Sequence, residues 1–146
     1  MWNNFKFNKK KNKLIMKKIL ITTGGSGGHV IPSLSIYDHL KDYFEITLVT
    51  DERGLKYINK NNYKFTLIDV PNLFSKLYLL PINLIKFFIS ILKSYNYLNK
   101  NNINFLISTG GYMSLPLCIA SRFLNIKIFL FEPNSVLGRT NKFMLG

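Results

Sequence analysis

Five short apolar runs recur along the chain, separated by stretches with apolar residues every three or four positions. Short apolar runs bounded by turn residues are typical of buried parallel strands, and the longer spacing is typical of helices. Strands that alternate with helices form right-handed βαβ units. The pattern predicts an α/β fold with a Rossmann-like parallel sheet and helices on both faces. The predicted strands are 18–22, 45–50, 65–70, 103–107 and 127–131.

Two prolines help to place the helices, because proline fits the first helical turn, where its missing N–H costs nothing. Pro32 and Pro116 each follow a glycine-rich turn, so each is predicted to lie in the first turn of a helix. The first helix is predicted to end near residue 41, and others are predicted at 53–60, 114–124 and 139–145.

The segment 73–98 contains an apolar run that is too short and too interrupted for the roughly 20 apolar residues of a membrane span. Ile82, Ile85 and Ile89 repeat at helical spacing, which predicts an amphipathic helix with these residues on the core. One interpretation is a core crossover helix under an apolar loop. The other is a membrane-binding patch, with the residues Leu73, Phe74, Lys76, Leu77, Tyr78, Leu79, Leu80 and Lys86.

The formal net charge is +13, but it is unevenly distributed. Seven of the twenty basic residues lie in 1–18, which contains no acidic residue. The charged residues of 70–131 are likewise all basic. A basic, aromatic-rich surface suits an anionic membrane, a nucleic acid or a phosphorylated substrate. Residues 1–16 are predicted to be a disordered basic tail, or to precede a true start at Met16, which leaves 17–146 as one domain.

The first strand ends in four glycines within five residues, followed by His29. Glycines permit a sharp turn and a close ligand, and the helix that follows offers unpaired N–H groups to an anion. The alternative is a plain strand-to-helix turn. The spacing matches neither the dinucleotide fingerprint nor the P-loop, which disfavours a nicotinamide or ATP enzyme.

Two further polar motifs follow strands. Gly110, Gly111 and Tyr112 come after the fourth strand, and Glu132 and Asn134 come after the fifth. In parallel sheets ligands bind outside the carboxyl ends of the strands, so the three motifs are predicted to converge on one site.

Each candidate side chain has a catalytic and a structural interpretation. His29 can act as a general base or hold the turn by hydrogen bonds. Glu132 can accept a proton, orient a sugar hydroxyl or cap the next segment, and Asn134 offers a donor and an acceptor. With Cys118 as the one cysteine and two histidines, a disulfide framework and a metal site are disfavoured.

Three segments match a known family in order: GGSGGHVIP at 24–32, TGGYMSLP at 109–116 and EPNSVLGRTNK at 132–142. They resemble the glycine loops and the Glu-x-Asn-x-x-x-Gly-x-x-Asn segment of the family 28 glycosyltransferases of peptidoglycan synthesis. The resemblance covers 17–146. Phe131 and Pro133 depart from the His and Gln that often flank that Glu in the family.

The resemblance implies the N-terminal half of a two-domain GT-B enzyme. Such an enzyme transfers N-acetylglucosamine, with inversion, from UDP to the C4 hydroxyl of the undecaprenyl-linked muramoyl-pentapeptide. It implies no metal or other cofactor, no nucleic-acid partner, and a peripheral position on the cytoplasmic face of the plasma membrane. His29 is the candidate base and Glu132 a weaker one. Donor contacts carry over to Ser26, Gly27, Gly28 and Asn134, and acceptor or diphosphate contacts to Gly24, Gly25, Gly110, Gly111 and Tyr112.

The family's C-terminal half holds most of the nucleotide sugar, and we expect that donor domain to be absent from these 146 residues. We therefore expect the isolated chain to be inactive without a donor domain, which belongs either to a longer protein of which this chain is a fragment or to a separate partner chain. The alternative function is a non-catalytic subunit that recruits a catalytic chain to the membrane. A basic nucleic-acid binder and a domain with a degenerate site are further alternatives.

Overall fold

The computed structural model describes residues 16–68, 70, 80–134, 136 and 138–145. Five parallel strands form one sheet in the order β3-β2-β1-β4-β5. The strands are β1 Lys18–Thr22, β2 Glu45–Thr50, β3 Phe65–Leu67, β4 Phe105–Ser108 and β5 Lys127–Leu130. The helices are α1 Gly27–Leu40, α2 Glu52–Leu55, α3 Leu80–Lys100, α4 Leu115–Phe123 and α5 Arg139–Leu145, with a 3₁₀ turn at Tyr112–Ser114.

The central strand β1 shows why helices cover both faces of the sheet. Successive side chains of a strand point to opposite faces. Leu20 packs in one apolar cluster with residues of α3 and α4, and Ile19 and Ile21 pack in a second cluster with residues of α1. The predicted fold class, a Rossmann-like parallel sheet between two helical layers, is confirmed.

Several predicted boundaries moved; β4, for example, begins at Phe105 rather than at residue 103. Pro116 is the second residue of α4, as predicted, but Pro32 lies in the second turn of α1, because Gly27 and Gly28 already form its first turn. The short helix α2 begins earlier than predicted, because Asp51 caps it. Strand β3 ends at Leu67 rather than at residue 70.

The prediction that Ile82, Ile85 and Ile89 face the core is wrong. These three side chains are 51%, 63% and 45% exposed. The buried face of α3 consists instead of Asn83, Phe87, Ser90, Ser94 and Leu98.

Helix packing accounts for this register. The buried face of α3 lies against α4, whose own buried residues include Leu117, Ala120 and Ser121. Small side chains such as Ser90 and Ser94 let two helix backbones approach closely, whereas a row of isoleucines holds them apart. Sequence hydropathy therefore pointed to the wrong face.

The predicted membrane patch is only partly within the described residues: Leu80 is half-buried and Lys86 is exposed. The other members, at 73, 74 and 76–79, and the tail at 1–15 lie outside them. Among the described helices, none combines the length and apolar character needed to cross a bilayer.

Candidate functional site

The three polar motifs meet at the carboxyl edge of the sheet. The last residues of β1, β4 and β5 are register neighbours, since Thr22 pairs with Ser108 and Ser108 with Leu130. The loops after these strands therefore leave the sheet side by side. They surround a cavity of about 600 Å³ with the lining residues His29, Arg53, Gly110, Gly111, Tyr112, Leu115, Glu132, Gly138, Thr140, Asn141 and Phe143.

The two glycine loops pack back to back at the base of the site. Gly111 has φ +86°, and a Cβ atom there would lie 2.8 Å from the Gly24 carbonyl oxygen. A Cβ at Gly24 would in turn collide with Met113, which follows the second loop. Gly111 therefore avoids a clash with the Gly24 backbone, and Gly24 avoids a clash with the Met113 side chain.

The predicted donor contacts Ser26, Gly27, Gly28 and Asn134 are not among the lining residues of the cavity, and neither are Gly24 and Gly25, which were predicted to contact the acceptor or the diphosphate. Ser26 is the N-cap of α1 in extended conformation, without a side-chain cap bond, and it is exposed, as are Gly28 and Asn134. The first N–H groups of a helix have no partner within that helix, so the exposed start of α1 can donate to an anion.

A hydrogen bond fixes the tautomer of His29. Its Nδ1 lies 2.7 Å from the Thr109 carbonyl oxygen. A carbonyl accepts only, so Nδ1 carries the proton in the neutral ring and Nε2 keeps a lone pair. Thr109 also donates through its hydroxyl to the His29 carbonyl, at 3.0 Å. The structural bond foreseen for His29 is present, and it leaves the other nitrogen able to accept a proton.

The Glu132 carboxylate organises the third loop. One oxygen accepts from the Gly138 N–H at 2.7 Å and from the Asn141 amide at 3.1 Å. The other accepts from the backbone and side-chain nitrogens of Asn134, at 3.3 and 3.0 Å. The Gly138 bond above all, and then the Asn134 and Asn141 bonds, hold the pKa of Glu132 below its usual value despite partial burial. A carboxylate so stabilised is suited to orienting Asn134, and poorly suited to accepting a proton at neutral pH.

Sequence reasoning missed three residues of this edge. Asn141 is buried and lines the cavity, and its Oδ1 has no hydrogen-bond partner among the described residues. Arg53 lines the cavity from α2, and Asp51, at the end of β2, binds the backbone of the glycine loop. Because Asp51 directly follows a strand, the rule that sites form at strand ends applies to it as well. The loop after β2 lacks the paired glycines by which the loops after β1 and β4 were selected.

The architecture defines a class: α/β domains that hold a ligand at the carboxyl edge of a parallel sheet, between glycine-rich loops. The model of the glycosyltransferase family 28 N-terminal domain matches residues 19–146, and the chain belongs to this family.

Curated relatives carry the name UDP-N-acetylglucosamine–N-acetylmuramyl-(pentapeptide) pyrophosphoryl-undecaprenol N-acetylglucosamine transferase. The one from Pelagibacter ubique is 54% identical over 130 residues, which are 89% of this chain and 36% of the relative. The one from Rickettsia felis is 35% identical, over 88% of this chain and 35% of the relative. The chain therefore spans about a third of the length of these proteins.

A solved structure agrees in fold. MurG from Acinetobacter baumannii matches with a TM-score of 0.74 and 22% identity, covering 88% of this chain and 39% of that one. The glycosyltransferase of kitacinnamycin matches with a TM-score of 0.61 and 11% identity, over 90% of this chain and 34% of that one.

Proposed function

We propose that this chain is the acceptor-binding domain of an inverting N-acetylglucosamine transferase of peptidoglycan synthesis. The acceptor is the undecaprenyl-linked muramoyl-pentapeptide and the donor is UDP-N-acetylglucosamine. The similarity to the Pelagibacter ubique transferase supports this assignment. The single observation that carries it is the cavity lined by His29, by the second glycine loop and by the Glu132 segment.

The proposed chemistry uses Nε2 of His29 as a general base. The acceptor's C4 hydroxyl oxygen forms a bond to the anomeric carbon of the donor sugar and gives its proton to Nε2 of His29. The bond from the anomeric carbon to the phosphate oxygen breaks, and UDP leaves with the electron pair. Attack opposite the leaving group inverts the anomeric carbon. No metal or other cofactor is proposed.

The test is a chimera in which residues 19–146 replace the aligned region of the Pelagibacter ubique relative. We expect the chimera to transfer N-acetylglucosamine to a lipid-linked acceptor analogue, and His29→Gln to lower kcat about 100-fold or more, the usual contribution of a general base. His39→Gln is the matched control, because His39 is an exposed α1 residue bound to its own helix carbonyl. An inactive, folded chimera would contradict the assignment, and an active His29→Gln chimera would remove His29 as base.

A donor-binding partner belongs to the same proposal. Ser26, Gly28 and Asn134 are exposed, which leaves them accessible to a nucleotide sugar held by another domain or chain. We expect the 146-residue chain alone to show no turnover with both substrates. Turnover by the pure chain would overturn this part.

We also propose that α3 attaches the domain to the cytoplasmic face of the plasma membrane as a peripheral protein. Its outer face exposes Ile85, Phe88 and Leu92 at 63%, 64% and 64%, beside the exposed Lys86 and Lys93. An amphipathic helix with apolar residues and lysines binds anionic bilayers.

Sedimentation with vesicles tests this attachment. We expect the chain to bind vesicles with anionic phosphatidylglycerol, and Phe88→Glu to reduce binding about tenfold, since it places a charge in the apolar contact. The control is Phe129→Glu, because Phe129 is similarly exposed but packs beside Phe105 in the cluster on the opposite face of the sheet. Equal losses in the two variants would argue against α3 as the membrane face.

A further inference from the structure

The carboxylate of Asp51 joins three parts of the site edge. Asp51 follows β2 and is 6% exposed. Its Oδ1 accepts from the Gly54 N–H at 2.9 Å and from the Gly25 N–H at 3.2 Å. Its Oδ2 lies 2.8 Å from Nε and 2.7 Å from Nη2 of Arg53.

Helix capping accounts for only one of these bonds. An N-cap aspartate accepts from the third residue of its helix, which here is Gly54. The bond to Gly25 holds the glycine loop at a residue with φ +84°, and the bonds to Arg53 fix a guanidinium. A single buried carboxylate thus sets the position of the glycine loop and of Arg53 together.

Arg53 keeps most of its hydrogen-bonding capacity. A guanidinium has five N–H groups in a rigid fork, and Asp51 engages two of them. Its side chain is 61% exposed and lines the cavity. Of the lining residues with described side chains, Arg53 is the one with a permanent positive charge. The carboxylate in the lining, Glu132, is already engaged by its own loop.

Tyr57 supports the same arrangement from the next turn of the chain. Its ring lies over Gly27, where a Cβ atom would come within 3.1 Å of it. The segment from Asp51 to Tyr57 therefore contacts the glycine loop at two points, Gly25 and Gly27.

We propose that Arg53 binds the diphosphate group of a substrate in the cavity, and that Asp51 is the positioning residue that aligns Arg53 with the glycine loop. Planar, forked donors suit phosphate oxygens, and a fork already oriented by a buried carboxylate loses little freedom on binding. The inference rests on the proposed function, in which both substrates carry a diphosphate. The shared chemistry is a diphosphate ester, from the lipid-linked acceptor or from the nucleotide sugar.

The experiment measures binding to the 146-residue chain by ¹⁵N NMR titration. The probes are inorganic pyrophosphate, farnesyl diphosphate as a soluble lipid-linked diphosphate, and UDP. We expect Arg53→Gln to weaken pyrophosphate binding about tenfold or more, and Arg53→Lys to restore only part of it, because lysine keeps the charge but not the fork. Lys56→Gln is the matched control, since Lys56 lies on the same segment outside the cavity lining.

The two other probes identify the source of the diphosphate. Between these two probes, weaker binding of farnesyl diphosphate but not of UDP in Arg53→Gln assigns Arg53 to the acceptor, and weaker binding of UDP but not of farnesyl diphosphate assigns it to the donor. Unchanged binding of all three probes in Arg53→Gln overturns the inference while leaving the proposed function intact. If the wild-type chain binds neither pyrophosphate nor farnesyl diphosphate, the acceptor assignment itself fails, and the inference with it.

Asp51 has a readout of its own. In Asp51→Asn we expect the Gly25 and Gly54 amide signals to shift and pyrophosphate binding to weaken, with Arg53 unchanged in sequence. Shifted amides with wild-type pyrophosphate affinity would refute the positioning role.

Discussion

At the scale of single residues, the site is built from backbone geometry that a few side chains hold in place. Gly25, Gly110 and Gly111 have positive φ, and Gly111 packs against the Gly24 carbonyl. Asp51 and Glu132 each bind backbone N–H groups of the site loops. The two carboxylates therefore hold the backbone of the site loops in place.

Gly111→Ala tests the packing of the two glycine loops. Alanine is strained at φ +86°, and its Cβ would collide with a carbonyl oxygen, so we expect a loss of about 2–4 kcal/mol in the free energy of unfolding. Urea denaturation measures it. Gly28→Ala is the control, because its nearest neighbour is Ser26 Oγ at 3.7 Å and alanine favours helix. Equal stability of Gly111→Ala and wild type would show that the loops separate in solution.

At the scale of elements, α3 shows how packing overrides hydropathy. Its buried face carries serines and its exposed face carries isoleucine, leucine and phenylalanine. Close contact with α4 accounts for the small side chains on the buried face, and the proposed membrane surface gives the apolar side chains on the exposed face a role.

Ser94 allows a direct test of this helix register. It is fully buried, and its hydroxyl has no hydrogen-bond partner among the described residues. Ser94→Ala removes an unsatisfied hydroxyl, so we expect the free energy of unfolding to stay unchanged or rise by up to about 1 kcal/mol. Ser94→Leu overpacks the contact with α4 and should cost about 1–3 kcal/mol.

Ile89 on the opposite face supplies the control for this series. Ile89→Ser removes an exposed side chain, and surface substitutions usually change stability by no more than about 0.5 kcal/mol. Thermal unfolding of the three variants gives the comparison. The reverse ranking, with Ile89→Ser the most destabilising, would show that the isoleucine face of α3, and not the serine face, packs in the core.

At the scale of the whole molecule, the sheet brings four loops to one edge and leaves an apolar helix face on the outside. The cavity and the outer face of α3 are thus different surfaces of one domain. This arrangement suits an enzyme that takes a lipid-linked substrate from a bilayer, which is the function proposed above.

The charged groups predict how the fold responds to acid. The pKa values of Asp38, Glu45, Asp51 and Glu132 all lie below their usual range. The pKa of Asp38 is lowered by hydrogen bonds from Lys41 and then Tyr63, and the pKa of Glu45 is lowered by a hydrogen bond from Lys64. For Asp51, burial acts in the opposite direction and is outweighed by the bonds from Gly54, Arg53 and Gly25. A depressed carboxyl pKa adds stability above the unfolded-state value, and that stability is lost as the pH falls through the folded-state value.

We therefore expect the free energy of unfolding to be highest near neutral pH and to fall below about pH 4, where the unfolded chain binds protons that the folded carboxylates do not yet bind. Urea denaturation between pH 2 and pH 7 measures the profile. Asp51→Asn should reduce the fall in the free energy of unfolding at acidic pH, because one of the titrating carboxyl groups is absent. Stability that rises on acidification would contradict the assigned pKa directions.

The sequence alone determined the parallel α/β fold, the carboxyl edge as the site and the three loops that meet there. These features follow from local signals: apolar runs, glycines that permit particular turns, and the fixed chirality of βαβ connections. The same signals gave the family resemblance, because its motifs are continuous in the chain.

The tertiary structure decided what depends on residues distant in sequence. It buried Ser90 and Ser94 and left Ile85 and Ile89 exposed, since the available space between helices selects small side chains. It joined Asp51 to Gly25 across 26 positions, and His29 to Thr109 across 80. Such contacts arise where separate loops meet in space, and no local pattern of hydrophobic and polar residues encodes them.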